Sequence, residues 1–502
     1  MNELVVLNPN PLIRFLDKPS DDFTREDLIR FIEAHGIQML NFRYAGADGR
    51  LKTLNFIIKS RNHLESILTA GERVDGSSLF PHYIEAGSSD LYVVPRYRTA
   101  FLNPFSAIPA LDVLCSYYDK DGSPFSSAPE HILRKAHQAL NGSTGLDFEV
   151  MGELEYYVIG EKDPLYEAAD QRGYHESSPF CKWEKLRIEA MQAIAGCGGF
   201  IKYGHSEVGT FTESGLLYEQ NEIEFIPVRI GDAAEQLLIA KWILRSLAYK
   251  YGVTVTFAPK ITTGKAGSGL HIHTRLLKNG KSVMIANGGL SDTARKAIAG
   301  YLTLARSLTA FGNMIPTSYF RLVPHQEAPT LVCWGDRNRS VLVRVPLGWS
   351  DSGNTMVRHA NPLEKKSRND FINRQTVEFR SPDGSADIYL LCAGLTVAAL
   401  HGLEWKDALA YAEKTYVDVN IFDSRNRQRA SKLQHLPASC WESAEALENQ
   451  RAIYQSGGVF PRKILDGIIH KLRSYDDKLL LPTIRESEKE VIRLVNTFLH
   501  CG

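Results

Sequence analysis

Val150-Met-Gly-Glu-Leu-Glu-Tyr-Tyr-Val158 is the stretch from which the chain is best read. Its apolar, aromatic and β-branched residues spell a strand. Glu153 and Glu155 stand inside it at i and i+2, so both point to one face. Two carboxylates side by side on a buried face repel each other unless something positive lies between them. A divalent cation is the simplest such partner. A half-exposed strand with a solvated acidic face fits the same letters, so the rest of the chain has to decide.

The chain has 502 residues, 44% hydrophobic and 23% charged, with 58 basic and 58 acidic side chains and no net charge. That length suggests about three domains at most. The charge balance argues against a nucleic-acid binder. Seven scattered cysteines without a CxxC pair point to buried thiols in a reducing compartment, not to disulfides or a zinc ribbon. The N-terminus lacks a basic segment followed by an apolar core, and no apolar run is long enough to span a bilayer. These features predict a soluble, cytoplasmic protein without membrane or nucleic-acid partners.

Residues 1–22 read as an extension. Thr24 to His35 has helical periodicity with Thr24 as N-cap. Ile37–Tyr44 and Leu51–Ile58, around Asp48-Gly49, predict a hairpin. Asp75-Gly-Ser-Ser78 reads as a polar loop, and Asp90–Pro95 and Ile108–Tyr118 as further strands. The turn-rich stretch Asp119–Pro129 marks a domain boundary, giving 23–125 and 126–502. Beyond it, helix-like and strand-like segments mix without βαβ alternation, which predicts an α+β fold with an antiparallel sheet. Pro129–Leu140, the apolar run Leu390–Leu403 and the charged tail from Ser443 read as helices.

The i, i+2 pattern returns elsewhere. Glu207 lies in Gly204–Val208, Glu222 and Glu224 in Gln220–Phe225, His271 and His273 in Gly267–His273, and Glu378 and Arg380 in Thr376–Arg380. Singly, each fits ordinary solvated or core residues. Together they form an oxygen-rich donor set that suits Mg²⁺ or Mn²⁺ better than Zn²⁺. Sites with two or more such ions usually handle phosphate oxygens. Arg321, Arg337, Arg339 and Arg344 then crowd one segment, and guanidinium forks bind carboxylate or phosphate. A salt-bridged surface explains that crowding equally well. No P-loop or GxGxxG is present. The residues alone therefore point to a multi-metal, arginine-lined site for phosphoryl transfer on an anionic substrate.

Eight landmarks make the chain recognisable: Asp-Gly-Ser-Ser (75–78), Gly-Glu-x-Glu (152–155), His-x-Glu-Val (205–208), Gln-Asn-Glu (220–222), Gly-Ser-Gly-Leu-His-Ile-His (267–273), Arg-Leu-Val-Pro-x-x-Glu-Ala-Pro (321–329), Arg-Asn-Arg-Ser (337–340) and Glu-Phe-Arg-x-Pro-Asp (378–383). In this order the sequence resembles the glutamine synthetase family, most closely its smaller bacterial and archaeal type. The resemblance implies a β-grasp-like N-terminal domain and a catalytic domain with a curved antiparallel sheet and surrounding helices. It implies ATP-dependent ligation of ammonia to the γ-carboxylate of glutamate through γ-glutamyl phosphate, with two or three Mg²⁺ or Mn²⁺ per site. Glu155, Glu207 and Glu222 would hold one ion, and Glu153, His271 and Glu378 another. His273 and Arg374 would meet the nucleotide. Arg321, Arg380 and Gly267 would bind glutamate. Arg339 and Arg344 would neutralise the transferring phosphoryl group. Asp75 would bind ammonium, and Glu327 would close the site on a flap. The family also implies a dodecamer of two hexameric rings, each site completed by a neighbour's Asp75 loop.

Four departures qualify the resemblance. Glu219 replaces a glycine, in a loop between Glu207 and Glu222 that reads as longer than usual. Ala266 replaces an asparagine that helps bind glutamate. Asp387 replaces an asparagine. Basic residues before Glu378 are thinned to Arg374. The loss at Ala266 is shared by relatives that use larger amines, so a γ-glutamyl-amine synthetase is the alternative, and a non-catalytic family member a third. Retention of Asp75 and Glu327 favours ammonia. Where some members carry a modifiable tyrosine, this chain reads Asn420-Ile-Phe422-Asp423, which predicts no adenylylation there.

Overall fold

The computed structural model describes residues 7–81, 84, 89–323, 328–348, 353–364, 374–478 and 487–502. Glu327 lies outside them.

The N-terminal part is built on a six-stranded sheet of β1 (Met39–Ala45), β2 (Leu51–Ile57), β3 (Glu72–Asp75), β4 (Asp90–Pro95), β5 (Phe101–Leu102) and β6 (Ala110–Tyr118). Its order is β2-β1-β6-β4-β3, with β5 also on β6. The β1–β2 hairpin forms as its sequence predicts, whereas β1 and β6 run parallel. Helix Arg25–Ala34 starts at Thr24, whose side chain and that of Asp27 complete a capping box. Asp112, fully buried in this sheet, is satisfied by Arg43 at 2.6 Å, Asn41 at 2.7 Å and Asn103 at 3.0 Å. The expected polar loop at Asp75 is instead a strand end followed by a short helical turn, Gly76–Leu79. Asp75 is its N-cap, accepting from Ser77 N at 2.9 Å and Ser78 Oγ at 2.6 Å.

The remainder wraps a ten-stranded sheet: β7 (Asp147–Glu161), β8 (Ile201–Glu213), β9 (Leu216–Phe225), β10 (Val228–Arg229), β11 (Thr254–Thr256), β12 (Leu270–Lys278) and β13 (Lys281–Ser282), then, past a small two-stranded ribbon β14 (Ile285–Ala286) and β15 (Gly289–Leu290), β16 (Trp334–Asp336), β17 (Val343–Val345) and β18 (Val377–Phe379). The long order is β16-β17-β18-β12-β7-β9-β8. It is antiparallel as expected except for the parallel pair β16–β17. The segment between Glu207 and Glu222 is no irregular loop. It is a long hairpin turned by Ser214 and Gly215, both at positive φ as a type I′ turn requires.

One face of β7 is apolar. Val150, Leu154 and Tyr156 join Ile223, Leu270 and Ile272 in the main core against helix Ile230–Tyr251. Gly152 lets that helix approach, since a Cβ there would stand 2.9 Å from Leu237 Cδ1. Helices Pro129–Thr144, Asp292–Gly312 and Ile388–Glu404 complete the layer. Ile388–Glu404 is buried nearly all round, which accounts for its continuous apolar sequence. No single described helix is long and apolar enough to cross a membrane. All seven cysteines are free, and six are buried.

The two sheets are tied together at the start of helix Ile230–Tyr251. Arg96 pairs with Glu235, and Arg98 with Asp232 and Glu235. The end of the chain ties them again: Arg50 donates to His500 O, Arg245 to Cys501 O at 2.7 Å and Thr256 to Leu499 O.

Candidate active site

The apolar face of β7 fixes its other face by alternation, and Glu153 and Glu155 occupy it. Register then assembles a belt across five neighbouring strands. Glu153 stands opposite His271 on β12 and Glu224 on β9. Glu155 stands opposite Glu222, Glu222 opposite His205 on β8, and His273 opposite Glu378 on β18. Arg344 of β17 faces Glu378 from the other side. The belt lines a cavity of about 980 Å³.

Contacts inside it are close. Glu153 lies 2.7 Å from His273 Nε2 and 2.9 Å from His271 Nδ1. His271 Nδ1 is 3.6 Å from Glu378, which Arg344 meets at 2.8 Å and Arg380 at 3.0 Å. Glu155 accepts from Gly269 N at 2.7 Å and Gln220 Nε2 at 3.1 Å. Glu224 is gripped by Lys202 at 2.6 Å and Tyr203 at 2.5 Å.

The charges are unevenly compensated. Burial alone would raise Glu153, but His273 and His271 hold it well below the usual carboxylate range. Burial opposes charge on His273 too, yet Glu153 and Glu378 raise it. Glu222 is pushed well above its ordinary value by burial and by the charges of Glu153, Glu155, Glu207 and Glu224. A cavity that raises one carboxyl by crowding it with four others is short of positive charge.

Among the described residues three donor groups converge within 4.8 Å: Glu153 with His273 and Glu378, His205 with Glu207 and Glu222, and Glu153 with Glu222 and Glu224. These carboxylate and imidazole donors fit hard divalent cations. The six expected ligands, Glu153, Glu155, Glu207, Glu222, His271 and Glu378, all line the cavity. His205 and Glu224 join them: sequence reasoning placed Glu224 in the donor set without assigning it to an ion and gave His205 no role. Both share the i, i+2 parity of a residue that it did choose.

Arg321, Arg339, Arg344, Arg374, Arg380, Gly267 and His273 also line the cavity. Arg321 donates to Ser381 O at 2.8 Å and to His271 Nε2 at 3.2 Å. Arg344 Nε is buried without a hydrogen-bond partner among the described residues, which suits a waiting anion. Asp75 does not line the cavity. It is exposed, and Ser78 and Ser77 hold its carboxyl below the usual range.

Two departures have local explanations. Glu219, 2% exposed, anchors the segment before helix Glu184–Gly196, accepting from Lys182 N at 2.6 Å and Trp183 N at 3.0 Å. Asp387 caps helix Ile388–Glu404 through Leu390 N at 3.0 Å, a task for which aspartate and asparagine are equivalent. Ala266 is held through its backbone, its carbonyl accepting from Tyr157 OH at 2.9 Å and its N–H bonding Gln171. Its methyl group offers a ligand no hydrogen bond.

A β-grasp sheet followed by a curled sheet, with an acid–imidazole belt facing arginines, defines a class of ligases. The comparisons agree. The model of the glutamine synthetase catalytic domain matches residues 126–477, and that of the glutamine synthetase beta-grasp domain matches 36–120. The chain is 30% identical to a glutamine synthetase of Microchaete diplosiphon over 479 residues, covering 89% of this chain and 94% of that one. It is 28% identical to a glutamine synthetase of Staphylococcus epidermidis over 449 residues, covering 88% and 92%. Plasmodium falciparum glutamine synthetase superposes with a TM-score of 0.73 at 20% identity over 91% of this chain and 96% of that one. A ligand-free GmaS, a γ-glutamylmethylamide synthetase, gives 0.73 at 19% over 92% and 99%. The chain belongs to the glutamine synthetase family and is an enzyme of its ligase class. That family depends on ATP and a divalent metal.

Proposed function

We propose that the chain ligates ammonia to the γ-carboxylate of L-glutamate through γ-glutamyl phosphate, consuming ATP and yielding glutamine, ADP and phosphate. The observation that carries this reading is the belt of glutamates and histidines, in register across β18, β12, β7, β9 and β8, facing Arg321, Arg344 and Arg380 in one cavity. Glu155, Glu207 and Glu222 hold one Mg²⁺ or Mn²⁺, and His205 reaches the same donors. Glu153, His271 and Glu378 hold the second, beside His273. When bound, such ions supply Lewis-acid stabilisation of the phosphate oxygens. Arg339 and Arg344 neutralise the transferring phosphoryl group, and Arg374 meets the nucleotide. Arg321, Arg380 and the backbone at Gly267 orient glutamate. Asp75, exposed and acidic, binds ammonium in a neighbouring subunit's cavity, within a homo-oligomer of the double-ring dodecamer type. Glu327 completes proton removal. The enzyme works in the cytoplasm, is divided within Asp119–Pro129 into domains 23–125 and 126–502, and is not adenylylated at Phe422.

A second reading is favoured by Ala266 and supported by the likeness to GmaS: the nucleophile is a larger amine. One assay separates the two. Phosphate release from ATP and glutamate is measured with ammonium and then with a panel of alkylamines and polyamines. Ammonia ligation predicts turnover with ammonium at low concentration. Turnover with an amine and none with ammonium would replace the first reading by the second.

A further inference from the structure

Outside the catalytic cavity lies a second one of about 690 Å³. One wall is a face of helix Ile230–Tyr251, where Lys241, Trp242, Arg245 and Tyr249 recur at the three- and four-residue spacing that keeps side chains on one side. The opposite wall is the β1–β2 turn at Gly49–Leu51 and the β5–β6 connection around Phe105. The cavity therefore sits in the seam between the two sheets.

Its charge is one-sided. Arg50, Lys241, Arg245 and Lys250 reach it, and no aspartate or glutamate is among its described walls. Lys250 is paired with Glu189 at 2.5 Å. Among the described residues the other three meet carbonyls and one aromatic ring: Lys241 donates to Gly384 O at 2.7 Å and Arg245 to Cys501 O at 2.7 Å, both lie over the Phe257 ring at 5.1 and 4.9 Å from its centre, and Arg50 donates to His500 O. Of the nearby side-chain carboxylates, Asp48 is bonded by Lys52 at 2.5 Å and Asp383 by Asn313 at 2.8 Å and Ser385 at 2.6 Å, so that Asp48 attracts Arg245 and Asp383 attracts Lys241 only from a distance, and the backbone of Gly502 lies against Lys241. Carbonyls satisfy N–H groups but do not cancel net charge. Lys241 is 2% exposed. Burial and then the charge of Arg245 push its ammonium down to about 7, and burial and then Arg50 push Arg245 down to about 10. The buried ammonium of Lys241, beside the half-buried Arg245, stores free energy that a bound anion releases.

We propose that this seam cavity is a second ligand site, taking a small organic anion with two or more negative charges, its phosphate or carboxylate groups held by Arg50, Lys241 and Arg245. Guanidinium forks bind either group bidentately, and the ammonium adds a point charge. Tyr249, 91% exposed at the rim, offers a flat face to the rest of the ligand. The site stands on its own geometry and does not depend on which amine the catalytic cavity uses.

The test is hydrogen-exchange mass spectrometry of the full-length, Mg²⁺-loaded protein with millimolar AMP, and separately citrate. The expected result is slowed exchange in peptides covering residues 45–51 and 238–250. Titration of that protection should weaken by about tenfold or more in Arg245→Gln and in Arg50→Gln, with ligase activity without added anion unchanged. Arg50 is exposed on a turn, so its variant keeps the fold if the Arg245 variant does not. Protection by AMP alone identifies phosphate as the recognised group, and protection by citrate alone identifies carboxylate. No protection of these segments by either anion, or equal titration in wild type and the Arg50→Gln protein, overturns the proposal.

Discussion

Glu153 and Glu155 leave the same strand on the same side, yet their neighbours differ. Glu153 meets His271 and His273, while Glu155 meets Gln220 and the backbone of Gly269. The two should therefore fail differently. Glu153→Gln is expected to raise the KM for ATP by at least about tenfold with a smaller change for glutamate, and Glu155→Gln to do the reverse. Steady-state phosphate release measures both, and equal changes would refute the division of labour. Strand parity made this pair legible in the sequence, and the same parity carries Glu224, His205 and His273. It stops working where the ladder is irregular. The register shifts between Ser206 and Thr210, so alternation does not place Glu207. It shifts also between Ile201 and Tyr203, which lets the consecutive Lys202 and Tyr203 both reach Glu224.

Among the elements, helices Asp292–Gly312 and Ile388–Glu404 approach backbone to backbone. A Cβ on Gly300 would stand 1.9 Å from Ala398 O, and one on Gly402 would stand 2.1 Å from Lys296 O. Gly300→Ala should lower unfolding stability by about 1–3 kcal/mol through overpacking. The change would appear as a lower denaturant midpoint at unchanged slope, and an unchanged midpoint would show that the helices can part without loss. The second helix was legible as an unbroken apolar run, but the glycine contact between the two was not, because periodicity gives a face and not its partner. Sheet order is hidden for the same reason. Alternation orients β7, β9 and β12 without saying that β7 lies between the other two. The strands β16, β17 and β18 are three residues each, below the length at which a pattern can be read.

For the whole molecule, the absence of Asp75 from its own chain's cavity predicts shared sites. Asp75→Ala and Glu378→Gln should each abolish ligation alone, yet co-expression of the two chains should restore a fraction of it in mixed oligomers. No recovery in verified mixed oligomers would confine each site to one chain. The crowded carboxylates of the belt predict a second global effect. A divalent cation at about 100 times its Kd should add about 2.7 kcal/mol of stability, visible as a higher Tm with Mg²⁺ than with EDTA. Glu222→Gln should shrink that difference and raise Tm in EDTA, since it removes one of the mutually repelling charges. The ion pairs of Arg96 and Arg98 with Asp232 and Glu235 bear on how substrates enter. Rotating one sheet away from the other would strand the largely buried Glu235 and its guanidinium partners, at a cost of about 3–5 kcal/mol. Hinge motion within a subunit is thereby suppressed, and admission of ATP and release of product fall to the rim of the cavity. Turnover should then track rim mobility, while the subunit's radius of gyration stays constant through the cycle.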